Sequence, residues 1–440
     1  MKVMKFGGTS VGLPQRMHHV AQLITADDEK KIVVLSAVSG TTNSLIEISS
    51  LLAQGDKETA KEKIDQLENT YRQFIKELLL EKTATDRGHK IIDEHFEFLN
   101  IILKISYSEA LNKDILAQGE LLSTKLFSAY LNEQKIKHEL LPALDFMTLD
   151  MNHEPQIGSI KVKLMQLLKR YKNEKIFITQ GFICRNAKGE VDNLNRGGSD
   201  YTASLIAAAV NASVCEIWTD ISGMHNNDPR VVNKTFPVVQ LSFDEAAELA
   251  YFGAKVLHPS SIWPAQQYNI PVKLLNTIEP HAKGTLISSE ATGDGVKAVA
   301  AKDGITAIKI KSSRMLLAYG FLRRVFEVFE KYRTPIDMVT TSEVAVSVTI
   351  DNDTALPEIL TELEALGMVE VDRNQAIVCV VGNRISVDKE ILKKLFSSLH
   401  NVDVRMVSYG GSSHNISLLI FSQQKAQVLK QLNAGLFELN

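Results

Sequence analysis

The first twelve residues, MKVMKFGGTSVG, constrain the fold more than any other stretch of the chain. Apart from Lys5, the run Val3–Phe6 is apolar and suits a buried strand, and it ends at Gly7 and Gly8. Two glycines let backbone amides approach an anion at a distance that a Cβ would prevent. The stretch therefore predicts a strand followed by a phosphate-sized turn, with Lys5 at its mouth. An ordinary turn after an edge strand is the alternative.

Four further apolar runs predict strands: Ile32–Ala37, Ile176–Ile183, Cys215–Trp218 and Pro271–Leu275. Continuous apolar runs rich in β-branched residues are typical of strands buried on both faces, so we expect a parallel α/β sheet. Ligands bind at the carboxyl ends of such strands. The polar loop after the first of these runs, which contains Ser39 and Thr42, is therefore a candidate site, with helix capping as the alternative.

A second glycine-rich turn, NRGGSD at residues 195–200, precedes the small apolar residues of a predicted helix. Amides at a helix N-terminus favour negative charge. One turn lies beside Lys5 and the other carries Arg196 and Asp200, which suggests that a phosphoryl donor and an anionic acceptor face each other. For Asp200, helix capping is the alternative.

The segment from about residue 56 to residue 110 is charged and helix-periodic, with Ile64, Leu67 and Tyr71 spaced by three and four positions. We interpret it as a helical insertion that walls a cleft or an interface. Glu120 then precedes another predicted helix, Leu121–Leu131. A glutamate at a helix start usually stabilises the positive end of the helix dipole.

Residues 290–295, EATGDG, are polar and glycine-rich and predict a domain boundary between residues 1–294 and 295–440. Beyond it, a β-α-β-β-α-β pattern occurs twice, at about 303–373 and 374–440, and each copy is typical of a ferredoxin-like fold. The predicted strand 296–301 precedes the first copy, whereas the second has little after its last helix. We therefore expect the copies to interleave, with 296–301 beside a strand near Val402–Val407.

Composition argues against several classes of protein. The formal net charge is −3, from 49 basic and 52 acidic residues, which disfavours nucleic acid or a membrane surface as a partner. Three widely separated cysteines indicate neither a disulfide framework nor a structural zinc site. The N-terminus is too polar for a secretory signal, and no apolar run could span a bilayer. We expect a soluble, cytoplasmic protein without a protein-bound metal site.

Five motifs together resemble those of the aspartate kinases, or aspartokinases: KFGGTSV at Lys5, NRGGSD at residue 195, WTD at Trp218, DPR at Asp228 and FGAKVLHP at Phe252. The resemblance covers essentially the whole chain, because the two C-terminal copies resemble paired ACT domains. Residues 315–343 resemble the lysine-sensitive monofunctional forms. The resemblance implies an amino-acid-kinase-type α/β sandwich with a largely parallel central sheet, followed by two ferredoxin-like ACT regulatory units.

The reaction implied by the resemblance is phosphorylation of the L-aspartate side-chain carboxylate by ATP. The product is 4-phospho-L-aspartate, and the reaction is the first step toward lysine, threonine and methionine. Mg²⁺ would be carried mainly on phosphate oxygens and water. Because both reacting groups are anions, catalysis would depend on positioning and electrostatic stabilisation. By this resemblance Lys5 and Asp200 are catalytic, with Asp200 orienting lysines or Mg²⁺. The implied nucleotide-binding residues are Lys5, Gly7, Gly8, Thr219, Asp220, His225, Arg230, Lys255 and Val256.

For the acceptor, the resemblance implies that the Arg196 guanidinium binds the α-carboxylate of aspartate, since the two groups match bidentately. Glu120 would bind the α-ammonium, with Ser39, Thr42 and Ser199 beside the substrate.

An allosteric site for an amino acid, L-lysine, is also implied. Its residues are Met315, Phe321, Leu322, Asp337, Val339, Ser342 and Glu343. Two carboxylates suit a ligand with two ammonium groups, and the alternative is that Asp337 and Glu343 are solvated loop acids. Such a site implies a homodimer through the ACT units, with a tetramer as the other candidate assembly.

Two other functions compete with this interpretation. A kinase acting on glutamate or acetylglutamate would explain the first glycine turn but not the C-terminal pair of units. A non-catalytic amino-acid-sensing subunit would not require Lys5, Arg196, Asp200 and Lys255 together.

Overall fold

The computed structural model describes residues 1–194, 197–253, 257–290, 293–312 and 319–439. The chain divides into two compact units. The first comprises Met1–Met224 and Val256–Ser289, and the second comprises His225–Lys255 and Glu290–Asn440.

In chain order the strands are β1 (Lys2–Phe6), β2 (Lys31–Leu35), β3 (Glu139–Leu140), β4 (Ile176–Gln180), β5 (Ile183–Arg185), β6 (Val191–Asn193), β7 (Cys215–Thr219), β8 (Gln240–Ser242), β9 (Val272–Asn276), β10 (Thr285–Ser288), β11 (Gly295–Lys311), β12 (Val339–Thr341), β13 (Ala345–Ile350), β14 (Met368–Asn383), β15 (Met406–Ser408) and β16 (Asn415–Phe421). The α-helices are α1 (Pro14–Thr25), α2 (Thr41–Ala53), α3 (Lys57–Leu78), α4 (Lys82–Ile102), α5 (Glu109–Glu133), α6 (Ile157–Arg170), α7 (Gly198–Val210), α8 (Phe243–Tyr251), α9 (Trp263–Gln267), α10 (Phe321–Lys331), α11 (Leu356–Glu364), α12 (Lys389–Ser398) and α13 (Lys425–Phe437).

Seven strands of the first unit hydrogen-bond in the order β3-β4-β2-β1-β7-β9-β10. Five neighbouring pairs are parallel, and β9 and β10 are antiparallel. Every residue of β2 and β4 is buried, as expected for strands covered on both faces. The prediction of a largely parallel α/β sheet is confirmed.

The register of this sheet brings the carboxyl ends of four parallel strands to one edge. Phe6 of β1 pairs with Leu35 of β2 and with Trp218 of β7, while Leu35 also pairs with Gln180 of β4. The pairing continues past β4, because the Gly181 N–H donates to the Leu35 carbonyl at 2.9 Å. The turns that follow β1, β2, β4 and β7 therefore start side by side.

The stretch interpreted as a helical insertion forms α3 and α4. Their apolar stripes, which include Ile64, Tyr71 and Phe96, join one core cluster with residues of α1, α2 and α5. Tyr71 also hydrogen-bonds through its hydroxyl to the Thr41 hydroxyl at 2.8 Å, which ties the start of α2 to α3.

The second unit contains an antiparallel sheet in the order β12-β13-β11-β14-β16-β15. The long strands β11 and β14 pair from Gly295 with Asn383 to Lys311 with Met368. One apolar cluster holds α10 and α11, and a second holds α12 and α13. The prediction of an antiparallel ACT-type region is confirmed.

One detail of the predicted strand pairing is wrong. Residues 296–301 form the first part of β11 and pair with β14, where Ala301 lies opposite Val378. They do not pair with the strand near Val402–Val407, because β15 lies at the sheet edge and pairs with β16. Since Val299 packs in the same cluster as Val378, we keep the interleaving of 296–301 with the second copy as a proposal.

The predicted boundary at residue 294 also differs from the observed division, which assigns residues 225–255 to the second unit. The Asn227 side-chain amide donates to the Leu429 carbonyl of α13 at 3.0 Å, and Val232 packs in the cluster of α12 and α13. These contacts join distant parts of the chain, so a local change in composition could not predict them.

Gly119 of α5 provides a test of the packing beneath the sheet edge. A Cβ at this position would lie 2.8 Å from the Cβ of Ala37. We expect Gly119→Val to lower the free energy of unfolding by about 1 to 3 kcal/mol, the usual range for overpacking, measured by urea denaturation. Gly158→Val in α6 is the control, because a Cβ there has nothing within 4 Å. Equal stability of the two variants would contradict the prediction.

Candidate active site

An open cleft of about 660 Å³ lies where the turns after β1, β2 and β4 meet. Both glycine-rich turns border it, the first through Gly8 and the second through Gly198. The predicted residues that line it are Lys5, Gly8, Ser39, Thr42, Glu120, Ser199 and Asp200. The structure thus places the candidate donor and acceptor residues around one space.

A shielded ion pair crosses the cleft between Lys5 of β1 and Asp200 in the first turn of α7. The Lys5 Nζ lies 2.7 Å from the Asp200 Oδ1, and the two side chains are only 11% and 14% exposed. Such partial burial strengthens an ion pair relative to one in open water. The capping alternative for Asp200 is wrong, because the position before α7 is taken by Gly197 with a φ of 76°.

The first glycine turn differs in one respect from the prediction. The Gly7 N–H donates to the Trp218 carbonyl at 3.2 Å, because the pairing of β1 with β7 extends past the end of β1. Gly7 therefore does not present a free amide to a phosphate. Gly8 and Thr9 line the cleft, and their amide N–H groups have no hydrogen-bond partner among the described residues.

Glu120 lies in the middle of α5 rather than at a helix start, so the end-charge interpretation is wrong. The residue is 4% exposed, and its Oε1 accepts the Ala37 N–H at 3.2 Å. Its Oε2 is buried and has no hydrogen-bond partner within the described part of the chain. Burial raises the pKa of Glu120 to about 8, although the Ala37 N–H and the Lys5 charge act to lower it.

The cleft residues that the sequence analysis did not identify include Lys113, Phe182 and Asn193. Lys113 precedes Glu120 by two helical turns on α5, so helical spacing could have found it. Phe182 follows the carboxyl end of β4, where ligand-binding residues are expected. Asn193 ends β6, just before the NRGGSD turn, and carries no comparable signal.

Phe182 has an unusual backbone conformation, with a φ of 65°. A bulky residue in this region is strained, and such strain is concentrated at functional sites. Two hydrogen bonds hold it: its N–H donates to the Thr202 hydroxyl at 2.9 Å, and its carbonyl accepts the Leu194 N–H at 2.7 Å.

Several predicted site residues lie elsewhere or outside the described residues. Thr219 ends β7 and its hydroxyl donates to the Asp220 carboxylate at 3.2 Å. His225 and Arg230 belong to the second unit. The residues outside the described ranges are Arg196, Lys255, Val256 and Met315.

Two of the predicted nucleotide contacts already have protein partners. The exposed Arg230 guanidinium binds the Asp228 carboxylate as a fork, at 2.9 and 2.8 Å. The His225 Nδ1 lies 2.9 Å from the Thr235 hydroxyl, and burial lowers the pKa of His225. A nucleotide phosphate could bind Arg230 through the guanidinium N–H groups that Asp228 does not use.

In the second unit, Asp337 is the centre of a buried polar cluster. Its carboxylate is 1% exposed, and Oδ1 accepts from the Tyr251 hydroxyl at 2.7 Å and from the Lys302 ammonium at 2.9 Å. Lys302 also lies 2.8 Å from Asp351 and 4.3 Å from the centre of the Tyr251 ring. Burial acts to lower the pKa of Lys302, but the two carboxylates raise it above its usual value.

The remaining predicted effector residues that the structure describes are less buried. The exception is Phe321, which is buried in α10, whereas Leu322, Val339, Ser342 and Glu343 are exposed. The alternative that Asp337 is a solvated loop acid is therefore wrong, whereas Glu343 fits that description.

The raised pKa of Glu120 predicts a pH dependence of stability. A carboxyl group whose pKa is higher in the folded protein binds its proton more tightly there, so stability falls as pH rises from about 4.3, the unfolded value, to about 8. Glu120→Gln should remove this loss. We expect the variant to gain at least about 1.4 kcal/mol over wild type between pH 5 and pH 8 in urea unfolding.

The gain should level off above pH 8. Glu109→Gln, at the exposed start of α5, is the control. A constant difference between Glu120→Gln and wild type across this pH range would contradict the prediction.

Comparison with known proteins agrees with the geometry of the cleft. Residues 1–276 match the amino acid kinase family, and residues 378–436 match the ACT domain. The lysine-sensitive aspartokinase 3 of Escherichia coli (strain K12) is 36% identical over 449 aligned residues, which cover 99% of each sequence.

Two solved structures share the fold of the whole chain. The crystal structure of E. coli aspartokinase III in complex with aspartate and ADP, in the R-state, has a TM-score of 0.85 and 35% identity, covering 99% of this chain and 100% of that one. The T-state structure of that enzyme in complex with lysine and aspartate has a TM-score of 0.82 and 35% identity, covering 99% of each chain. With both the kinase and the ACT regions matched over their full length, this chain belongs to the aspartokinase family.

Proposed function

We propose that this aspartokinase transfers the γ-phosphoryl group of ATP to the side-chain carboxylate of L-aspartate, giving 4-phospho-L-aspartate. The observation that carries the proposal is the single cleft in which the Lys5–Asp200 pair, Glu120 and the N-terminus of α7 meet. The E. coli relative binds aspartate and ADP, which supports the same substrates here.

Positive charge at the cleft would offset the repulsion between the two reacting anions. The Lys5 ammonium would contact the transferred phosphoryl group, while the amides of Gly8 and Thr9 and the first turn of α7 supply further donors. The attacking carboxylate is already ionised, so no general base is required. Asp200 therefore orients Lys5 across their 2.7 Å contact.

The buried Glu120 would bind the α-ammonium of aspartate through Oε2. An ammonium group there would complete the hydrogen bonding of this oxygen and favour the ionised carboxylate. Ser39, Thr42 and Ser199 border the same space. The family resemblance assigns the α-carboxylate to Arg196.

We propose Mg²⁺ as the metal that accompanies ATP. In the described part of the chain, no group of three or more His, Cys, Asp or Glu side chains converges on one point. Mg²⁺ bound together with ATP is usually held by phosphate oxygens, water and one or two carboxylates. Asp200 and Asp220 would supply those carboxylates.

The substrate can be tested with a hydroxamate assay, in which hydroxylamine traps the acyl phosphate. We expect ATP-dependent hydroxamate from L-aspartate and little from L-glutamate or N-acetylglutamate. A preference for either glutamate compound would support the competing kinase. No product with any acceptor would support the sensing subunit.

Lys5→Met tests the mechanism in the same assay. Loss of a charge-stabilising donor commonly lowers kcat by about 10² to 10³-fold, and we expect a fall in this range with a retained circular-dichroism spectrum. Lys2→Met, on the same strand but paired with Asp27, is the control and should remain active. Near-wild-type turnover of Lys5→Met would remove Lys5 from the mechanism.

We further propose feedback inhibition by L-lysine at the ACT region. The E. coli relative binds lysine in its T-state structure. In this chain the ammonium of Lys302 already contacts the Asp337 Oδ1, so this buried carboxylate accommodates an ammonium group, and its Oδ2 has no partner among the described residues. Glu343 would bind the second ammonium group of the ligand.

Regulation through the ACT units also implies an assembly of two copies. We propose a homodimer through the ACT units, because the exposed edge strand β12 offers backbone groups for pairing with a second copy. Effector coupling of this kind is typically worth about 1 to 3 kcal/mol.

We also expect a cytoplasmic location. No helix in the described ranges is long and apolar enough to cross a bilayer.

Asp337→Asn tests the lysine site. Hydrogen bonds to charged groups contribute about 1.5 to 3 kcal/mol, so we expect the half-inhibitory lysine concentration to rise by roughly 10 to 100-fold. Asp351→Asn, which alters the other carboxylate beside Lys302, is the matched control and should cause a much smaller shift. Inhibition of the wild type by threonine but not lysine would contradict the proposal.

A further inference from the structure

Asn193 is the one polar side chain lining the cleft, within the described part of the chain, whose two functional atoms are both buried and unused. The residue is 7% exposed, and neither its Oδ1 nor its Nδ2 has a hydrogen-bond partner among the residues that the structure describes. Buried side-chain amides in native proteins almost always have partners, and each exception requires an explanation. The open cleft beside Asn193 indicates that a bound molecule supplies them.

The backbone around Asn193 is held firmly by its neighbour. The Asp192 Oδ1 accepts the Asn193 backbone N–H at 2.8 Å and lies 3.2 Å from the Lys113 Nζ, and its Oδ2 lies 3.2 Å from the His153 Nδ1. On β5, Ile183 pairs with Asn193 in the antiparallel register. These contacts hold the backbone of Asn193 in place and do not use its side chain. A backbone that is already ordered lowers the entropy cost of binding a ligand.

The chemistry of the cleft indicates what this ligand carries. A side-chain amide offers both donors and an acceptor. On α5, which packs against β6, Glu120 presents another buried atom, the acceptor Oε2, that has no partner among the described residues. A zwitterionic amino acid complements both residues, because its ammonium needs acceptors and its carboxylate needs donors. A polyphosphate offers acceptors alone, so it would leave the Asn193 Oδ1 without a donor.

We propose that Asn193 is a specificity-determining residue that binds the α-amino-acid group of the acceptor through its side-chain amide. The identity of that acceptor as L-aspartate rests on the proposed function. The α-amino-acid group does not react, so this contact has the same strength in the ground state and the transition state. Its loss should therefore raise KM for the acceptor without lowering kcat.

Asn193→Leu removes both hydrogen-bonding groups and keeps the branched arrangement of four heavy atoms in the side chain. We expect KM for L-aspartate to rise by about tenfold or more, with KM for ATP and kcat within about twofold of wild type. Asn193→Asp keeps the acceptor but loses the donors and adds negative charge, so it should raise KM for aspartate further. Asn100→Leu in α4 is the control, since this half-buried asparagine also has an unpartnered oxygen but does not line the cleft.

A binding measurement separates this contact from a general structural role. Aspartate and ADP, added separately, should each raise the melting temperature of the wild type, and Asn193→Leu should lose the aspartate shift while retaining the ADP shift. Equal loss of both shifts, or a KM for aspartate within about twofold of wild type, would overturn the inference. If the leucine variant does not fold, the same KM and melting-temperature measurements on Asn193→Asp test the inference. Absence of aspartyl hydroxamate from the wild type would instead reject the proposed function.

Discussion

The hydrogen-bonded register of β1 between β2 and β7 is the constraint on which the candidate site depends. Because all three strands are parallel, their carboxyl ends share one edge, and the turns that follow them must begin side by side. Lys5 reaches the cleft from β1, and Ser39 and Thr42 follow β2. The second glycine turn meets them because α7 starts at the same edge of the sheet.

Electrostatics divides the cleft into groups that are already paired and groups that are not. Lys5 and Asp200 form an ion pair across 2.7 Å in a partly buried setting. Within the described ranges, the Glu120 Oε2 and both polar atoms of the Asn193 side chain have no hydrogen-bond partner, although each residue is more than nine-tenths buried. Unsatisfied buried polar groups destabilise a folded protein, so their presence at one cleft indicates that this part of the molecule is adapted to a ligand rather than to stability.

The second unit also contains a buried carboxylate, that of Asp337. Asp337 is buried, and it is shared between Lys302 and the Tyr251 hydroxyl at the end of α8. Residues 225–255, to which Tyr251 belongs, continue into the FGAKVLHP motif with its predicted nucleotide contacts Lys255 and Val256. A ligand that competes for Asp337 would therefore act on a segment that also carries His225 and Arg230.

The sequence by itself determined the parallel core, the two glycine turns, the antiparallel ACT-type region and the family. Each depends on patterns read over a few adjacent residues, such as apolar runs, glycine pairs and helical spacing. Only the tertiary structure decided that the Gly7 amide is used by Trp218, that Glu120 lies within a helix, that 296–301 pairs with β14, and that Asn193 is left without partners. Burial and hydrogen bonding join residues far apart in the chain, so the groups that remain available to a ligand are known only after every other contact has formed.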